Sequence, residues 1–294
     1  MLVTRTSEAA VPAVGEVELP RRPLVVIEAG KRRFLFKLSE FWEYRELLYF
    51  LIWRDIKVRY KQTALGVVWV VLQPLLMMMI FTLFFGKLAG IRADDGIPYP
   101  LFAYAGLLPW TFFATAANSA GNSLVNSASL ITKIYFPRLM VPVAAVGAVL
   151  VDLAISFCVL AVLMVYWRIP PNRGLVVLPL LICLVTGLAL AFGTLMTALN
   201  VRYRDVKIAL PFLLQIWFFV SPIIYPVSIL PARWHWVMAL NPMTGIAEGF
   251  RAALYGRKPF AWTALAISGA TTLVLFAIAM FTFKRMEKSF ADII

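Results

Sequence analysis

Apolar and polar positions in this chain fall into long blocks. A basic, aromatic stretch, WRDIKVRYKQTALG, runs without a break into VVWVVLQPLLMMMIFTLFFG between Trp53 and Gly86. The first half carries Arg54, Lys57, Arg59 and Lys61. The second half has no charge across roughly 20 residues, the length a helix needs to cross a hydrocarbon core. A cationic approach followed by a charge-free span places a polypeptide in a membrane and suggests the side it starts from. Further apolar blocks follow, and six spans are expected at about 63–85, 100–118, 141–167, 175–199, 208–225 and 260–283. The pattern predicts an all-α integral membrane protein: six transmembrane helices, an N-terminal amphipathic interface helix, and a re-entrant helical hairpin before the last span.

The segments between the spans carry their own signals. Residues 1–38 form a polar, proline-punctuated extension, read as a cytoplasmic tail with a short strand at Leu24–Ile27. Over 39–61 the spacing turns helical. Glu43, Glu46, Arg54, Lys57 and Lys61 share one stripe, and Phe41, Tyr44, Leu48, Leu51, Ile52 and Ile56 gather opposite, as in a helix lying at a membrane interface. Arg45, Asp55 and Arg59 interrupt the apolar side. Asp55 and Arg59 are four apart and can pair. Such charges either snorkel to headgroups or dock the helix against something besides lipid. Residues 62–294 form the six-span domain. Within it, NSAGNSLVNSASLITKIYFPR is too polar to span and is expected as a short helix outside the bilayer. The stretch 226–259, with Pro226, Pro231, Trp234, Trp236, Asn241-Pro242 and Glu248, is expected as a hairpin dipping part-way back into the membrane. Pro74 should kink the first span, and Ser221-Pro222 with Pro226 the fifth.

Composition changes the picture little. The chain is 62% hydrophobic, with mean hydropathy +0.83, well above a soluble domain. A net charge of +13 would suggest nucleic acid in a soluble protein. Here it matches flanking charges on anionic lipid. Cys158 and Cys183 each lie in an apolar run and are expected to be buried, inert thiols. The positive-inside rule gives both termini cytoplasmic, although the excess of Lys and Arg comes wholly from the N-terminal tail.

Chemistry is sparse. No GxxxxGK[ST] phosphate loop is present, and no cluster has metal-ligand spacing. His235, between Trp234 and Trp236, reads as an interface residue. Asp152 is the sole acid deep within an expected span, either a structural or pore-facing polar contact or a proton relay. Trp69, Trp110, Phe113, Trp217, Phe218 and Tyr225 are either interfacial anchors or an aromatic path. Aromatic faces suit sugar rings, whose axial C–H groups form apolar patches, so a polymer could slide along them.

RDIKVRYKQTALGVVWVVLQPLLMMMIFTLFFGKLAG, SLITKIYFPRLMVPVAAV and NPMTGIAEGFRAAL, together with six spans, resemble the permease subunit of ABC-2 type polysaccharide exporters across about residues 40–290. The resemblance implies a transport subunit, not an enzyme, that moves lipid-linked polysaccharide, O-antigen foremost, across the bacterial inner membrane. It implies a homodimer with two separate ATPase subunits that bind ATP and Mg, and no cofactor in this chain. It makes 39–61 a gate helix whose Arg54, Lys57, Arg59 and Lys61 meet a lipid pyrophosphate headgroup. It makes about 122–137 a coupling helix whose Ser129, Lys133, Tyr135, Phe136 and Arg138 face the ATPase, and 226–259 an outer gate. Rival readings are an ABC-2 type exporter of a small amphiphile or drug, a membrane-embedded enzyme acting on polyprenyl-phosphate sugars, and a proton-coupled carrier centred on Asp152.

Overall fold

A computed structural model describes residues 42–61, 66–93, 96–131, 136–287 and 290. The N-terminal extension, with its expected strand at Leu24–Ile27, lies outside them, as do Lys133 and Tyr135. Among the described residues the chain is all helical, with no strand. In chain order the helices are α1 (Arg45–Lys61), α2 (Val67–Phe81), α3 (Tyr99–Asn126), α4 (Ala128–Ile131), α5 (Met140–Tyr166), α6 (Leu178–Arg202), α7 (Val206–Val220), α8 (His235–Leu240), α9 (Pro242–Tyr255) and α10 (Trp262–Glu287). A π-helical turn, Thr82–Leu88, extends α2, and a 3-10 turn, Arg173–Val177, precedes α6.

Five of these rods are long and apolar enough to cross a membrane: Val67–Leu88, Tyr99–Asn126, Met140–Tyr166, Arg173–Arg202 and Trp262–Glu287. The expected fifth span is shorter than its sequence pattern suggested. Helix α7 stops at Val220, where the chain leaves helical geometry at Ser221. With 15 residues at ~1.5 Å each, it reaches only about three-quarters of a ~30 Å core. The second span is longer than expected. Helix α3 runs unbroken to Asn126, so 122–126 extend the span, and only the four residues of α4 form a separate helix. Its polar composition did not end the helix because those side chains are satisfied there: Ser123 Oγ donates to the Ala120 carbonyl of the preceding turn, and Asn122 accepts from Asn200 on α6.

The least apolar of the five long rods, α3, is also the most buried. That is the arrangement lipid selects, since small and polar residues gain most by facing other helices. Helix α6 packs closely on α3 at Gly193, where a Cβ would fall 2.7 Å from Ala120 Cβ. Beside this point Thr197 Oγ1 donates to the Ala120 carbonyl at 2.7 Å and Asn200 Nδ2 to the Gly121 carbonyl at 2.9 Å. The two cysteines depart from expectation. Cys158 and Cys183 are exposed on the flanks of α5 and α6, where lipid would cover them.

Helix α1 docks on protein. It runs beside α5 in the same direction, Ile52 lying where Gly147 leaves room and Arg59 and Tyr60 reaching Asp152. Of its two possible charge roles, docking on the bundle is the one realised at Arg59. Asp55 takes Arg54 at 2.9 Å, while Arg59 reaches across to Asp152.

At the opposite end of α3, residues 221–224 and most of 243–255 are buried, while Ile229, Trp234, Trp236 and Leu240 between them are exposed. Asn241 caps α9, accepting from Met243 N at 3.0 Å. Its side chain also accepts from Trp217 Nε1 at 3.0 Å and donates to Ser221 Oγ at 2.9 Å, tying the end of α7 to the start of α9. Helix α9 buries nearly its whole length. Glycines make this possible: a Cβ on Gly245 would collide with Ser268 and the Ala264 backbone, and one on Gly249 with Leu181.

Candidate functional site

A cavity of about 870 Å³ opens between α1, α2, α3, α5 and α7. Its α1 end is polar. Arg59 Nη1 donates to Asp152 Oδ2 at 2.5 Å and Nη2 to Ser119 Oγ at 3.1 Å. The Tyr60 hydroxyl donates to the other carboxylate oxygen, Asp152 Oδ1. Burial, and then this bond, push the Tyr60 phenol above its ordinary pKa, so it stays a donor at neutral pH. Asn118 and Ser156 complete the polar wall. A mid-helix carboxylate costs a few kcal/mol unless paired. One arginine and one tyrosine, adjacent on α1, supply the pairing, so Asp152 is both a structural tie and a group facing the cavity.

Deeper in, the walls turn aromatic. Trp69, Phe81, Trp110, Phe218 and Phe219 line the cavity. Phe81 stacks on Phe218 with centroids 5.7 Å apart, and Trp110 lies 5.4 Å from the same ring. Trp69 keeps 52% of its surface exposed, so it faces both the cavity and the outside of the bundle.

The structure brings together only part of the expected set. Arg59, Asp152, Trp69, Trp110 and Phe218 share the cavity. Phe113 and Trp217 do not line it: Phe113 is fully buried, edge-on to Trp217 at 5.0 Å, and both contact Phe192. Tyr225 instead donates to the Phe219 carbonyl in the loop after α7. Arg54 pairs with Asp55 and reaches Ser127 at 3.5 Å, and Lys57 lies over Trp53. Lys61 ends α1. Ser129 lies in α4, and Phe136 is buried. Arg138 donates to the Glu287 carbonyl at 2.5 Å and sits over Phe290, gripping the end of α10.

Sequence reading passed over Arg251. This arginine, 2% exposed, donates to Glu248 Oε1 and to the Ile223 carbonyl, each at 2.6 Å, and lies 3.8 Å above the Phe102 ring. Tyr255 donates to the Leu101 carbonyl and Tyr99 to the Ile224 carbonyl. Together these close the end of the bundle opposite α1. A lone arginine on a glycine- and alanine-rich helix was the available signal.

A model of the ABC-2 type transporter family matches residues 46–255. The chain belongs to that family. It is 30% identical over 260 residues to the O-antigen export system permease protein RfbA of Myxococcus xanthus, covering 87% of this chain and 98% of that one. An RfbA of Klebsiella pneumoniae is 27% identical over 254 residues, 85% of this chain and 95% of its own length. The polysialic acid transport protein KpsM of Escherichia coli is 25% identical over 246 residues, 81% and 93%. This ABC-2 family member therefore matches these relatives over nearly their whole lengths.

Proposed function

We propose that this ABC-2 protein is the channel-forming subunit of an ATP-driven exporter that carries lipid-linked polysaccharide, O-antigen above all, out of the bacterial cytoplasm. The observation that carries the reading is a cavity with a forked cation, Arg59, at its α1 end and aromatic side chains on its walls. A guanidinium suits a phosphate headgroup, and the rings offer many shallow contacts to sugars. In this reading two copies of the chain meet along the exposed apolar faces of α2 and α7, so each cavity becomes half of a tunnel. Helix α7 and the 221–225 loop act as a sixth, broken span, and 226–259 as a re-entrant outer gate. Both termini lie in the cytoplasm and the protein resides in the inner membrane.

Two separate ATPase subunits bind ATP and Mg, and hydrolysis there supplies the free energy. The segment after α3, 127–138, receives it, with Ser129, Lys133, Tyr135 and Arg138 at the contact and Phe136 buried behind them. Arg138 would pass the movement on to α10, whose last carbonyls it holds. This chain does no covalent chemistry; it stabilises two arrangements, and the partner shifts them by binding one better. A cavity of this size also suits a drug-sized amphiphile, which is the second reading.

The test is Lys133→Ala with Tyr135→Ala in cells that export the polymer. The proposal expects normal insertion, continued ATP hydrolysis by the complex, and loss of surface polysaccharide. Unchanged surface polymer would overturn the coupling assignment. Surface polymer that persists after deletion of the whole chain would overturn polysaccharide export.

A further inference from the structure

We infer that Asp152 is a specificity residue, an internal anion that keeps singly charged bulk lipids off Arg59 and admits only a more highly charged phosphate headgroup. The inference rests on the lipid-linked reading above and adds to it a mechanism of selection.

Arg59 is the cationic side chain lining the cavity, and it is already neutralised there. Both ends of its fork are occupied, Nη1 by Asp152 and Nη2 by Ser119. The carboxylate is 14% exposed and the guanidinium 27%, so the pair is largely shielded from water. A phosphodiester headgroup such as phosphatidylglycerol brings one negative charge, the same as Asp152. Exchanging one for the other gives up the ion pair with Asp152 and gains no charge in return, so the bulk lipid stays out. A polyprenyl diphosphate brings about two negative charges and more acceptor oxygens, enough to take both ends of the fork. Tyr60 is what makes the exchange reversible. It holds the other oxygen of Asp152, so the carboxylate keeps a donor when Arg59 turns to the ligand, and Arg59 has a partner to return to when the ligand leaves. This end of the cavity thus discriminates by penalising the wrong ligand.

The experiment measures binding of a fluorescent polyprenyl diphosphate to the full chain in nanodiscs of phosphatidylcholine and of phosphatidylglycerol. The native chain should bind equally in both. Asp152→Asn, which keeps shape and loses charge, should bind about tenfold more weakly in phosphatidylglycerol than in phosphatidylcholine, the worth of one charge-assisted hydrogen bond now open to the bulk lipid. Asp152→Glu should restore equality. Inorganic pyrophosphate at the same concentration should displace nothing, because it lacks the lipid. The native arm suffices by itself: weaker binding in phosphatidylglycerol by the native chain overturns the inference, as does equality in Asp152→Asn. Displacement by free pyrophosphate overturns the lipid as occupant. Absence of any binding by the native chain in either disc overturns the lipid-linked reading along with it.

Discussion

Arg251→Met is the sharpest probe of the closed end of the bundle. The substitution keeps the length of the side chain and removes its charge and donors. Lost are two bonds from a cation, at 2.6 Å to Glu248 and 2.6 Å to the Ile223 carbonyl, worth about 1.5–3 kcal/mol each. Lost too is the stack 3.8 Å above Phe102, worth about 2 kcal/mol when desolvated. Against this, the variant no longer buries a guanidinium, whose desolvation costs several kcal/mol. Arg251 Nε has no hydrogen-bond partner, so that offset is large. The balance lies near the low end of the about 3–5 kcal/mol seen when one partner of a buried pair is removed. At about 2–4 °C per kcal/mol for a chain of this size, the melting temperature in detergent should fall by about 6–12 °C. Adding Glu248→Gln should return about 1–2 kcal/mol, because it removes the orphaned charge. A single variant that melts within 1 °C of the native chain (or a double variant no more stable than the single) would refute the reasoning.

Two further predictions concern neighbouring contacts. Gly106→Ala places a Cβ 2.5 Å from the Ile223 carbonyl oxygen and 2.6 Å from Arg251 Nη2, and should destabilise by about 1–3 kcal/mol; an unshifted melting curve in detergent would count against the close packing there. Asn241→Ala removes the cap of α9 and the bonds to Trp217 and Ser221. It should cost about 1–3 kcal/mol and speed hydrogen exchange in the first turn of α9, with protection unchanged arguing against the cap.

The sequence made the membrane architecture legible because crossing lipid demands long charge-free blocks, and five of them became long rods. Composition misjudged where helices end. The polar run after residue 118 read as a separate short helix outside the bilayer, yet Asn122 and Ser123 bond within the bundle and α3 continues to Asn126. The block ending near Tyr225 read as a full span, yet backbone geometry at Ser221 stops α7 early. For the site, Asp152 was visible as an isolated acid, and Arg59 as a basic residue. Their meeting was not, because 93 residues separate them and helical spacing offered Asp55 as the nearer partner. Trp110 and Phe113 were indistinguishable in sequence; only helix rotation puts Trp110 on the cavity and Phe113 in the core.

In the proposed function this chain forms a path whose motion another subunit powers. The most direct test of that function is reconstitution in liposomes of the purified chain, with and without its ATPase, together with a lipid-linked polysaccharide on one side. Polymer should reach the far side only when the ATPase and ATP are both present, and this chain alone should hydrolyse no nucleotide. Hydrolysis by the isolated chain, or ATP-independent passage of the polymer, would contradict that function.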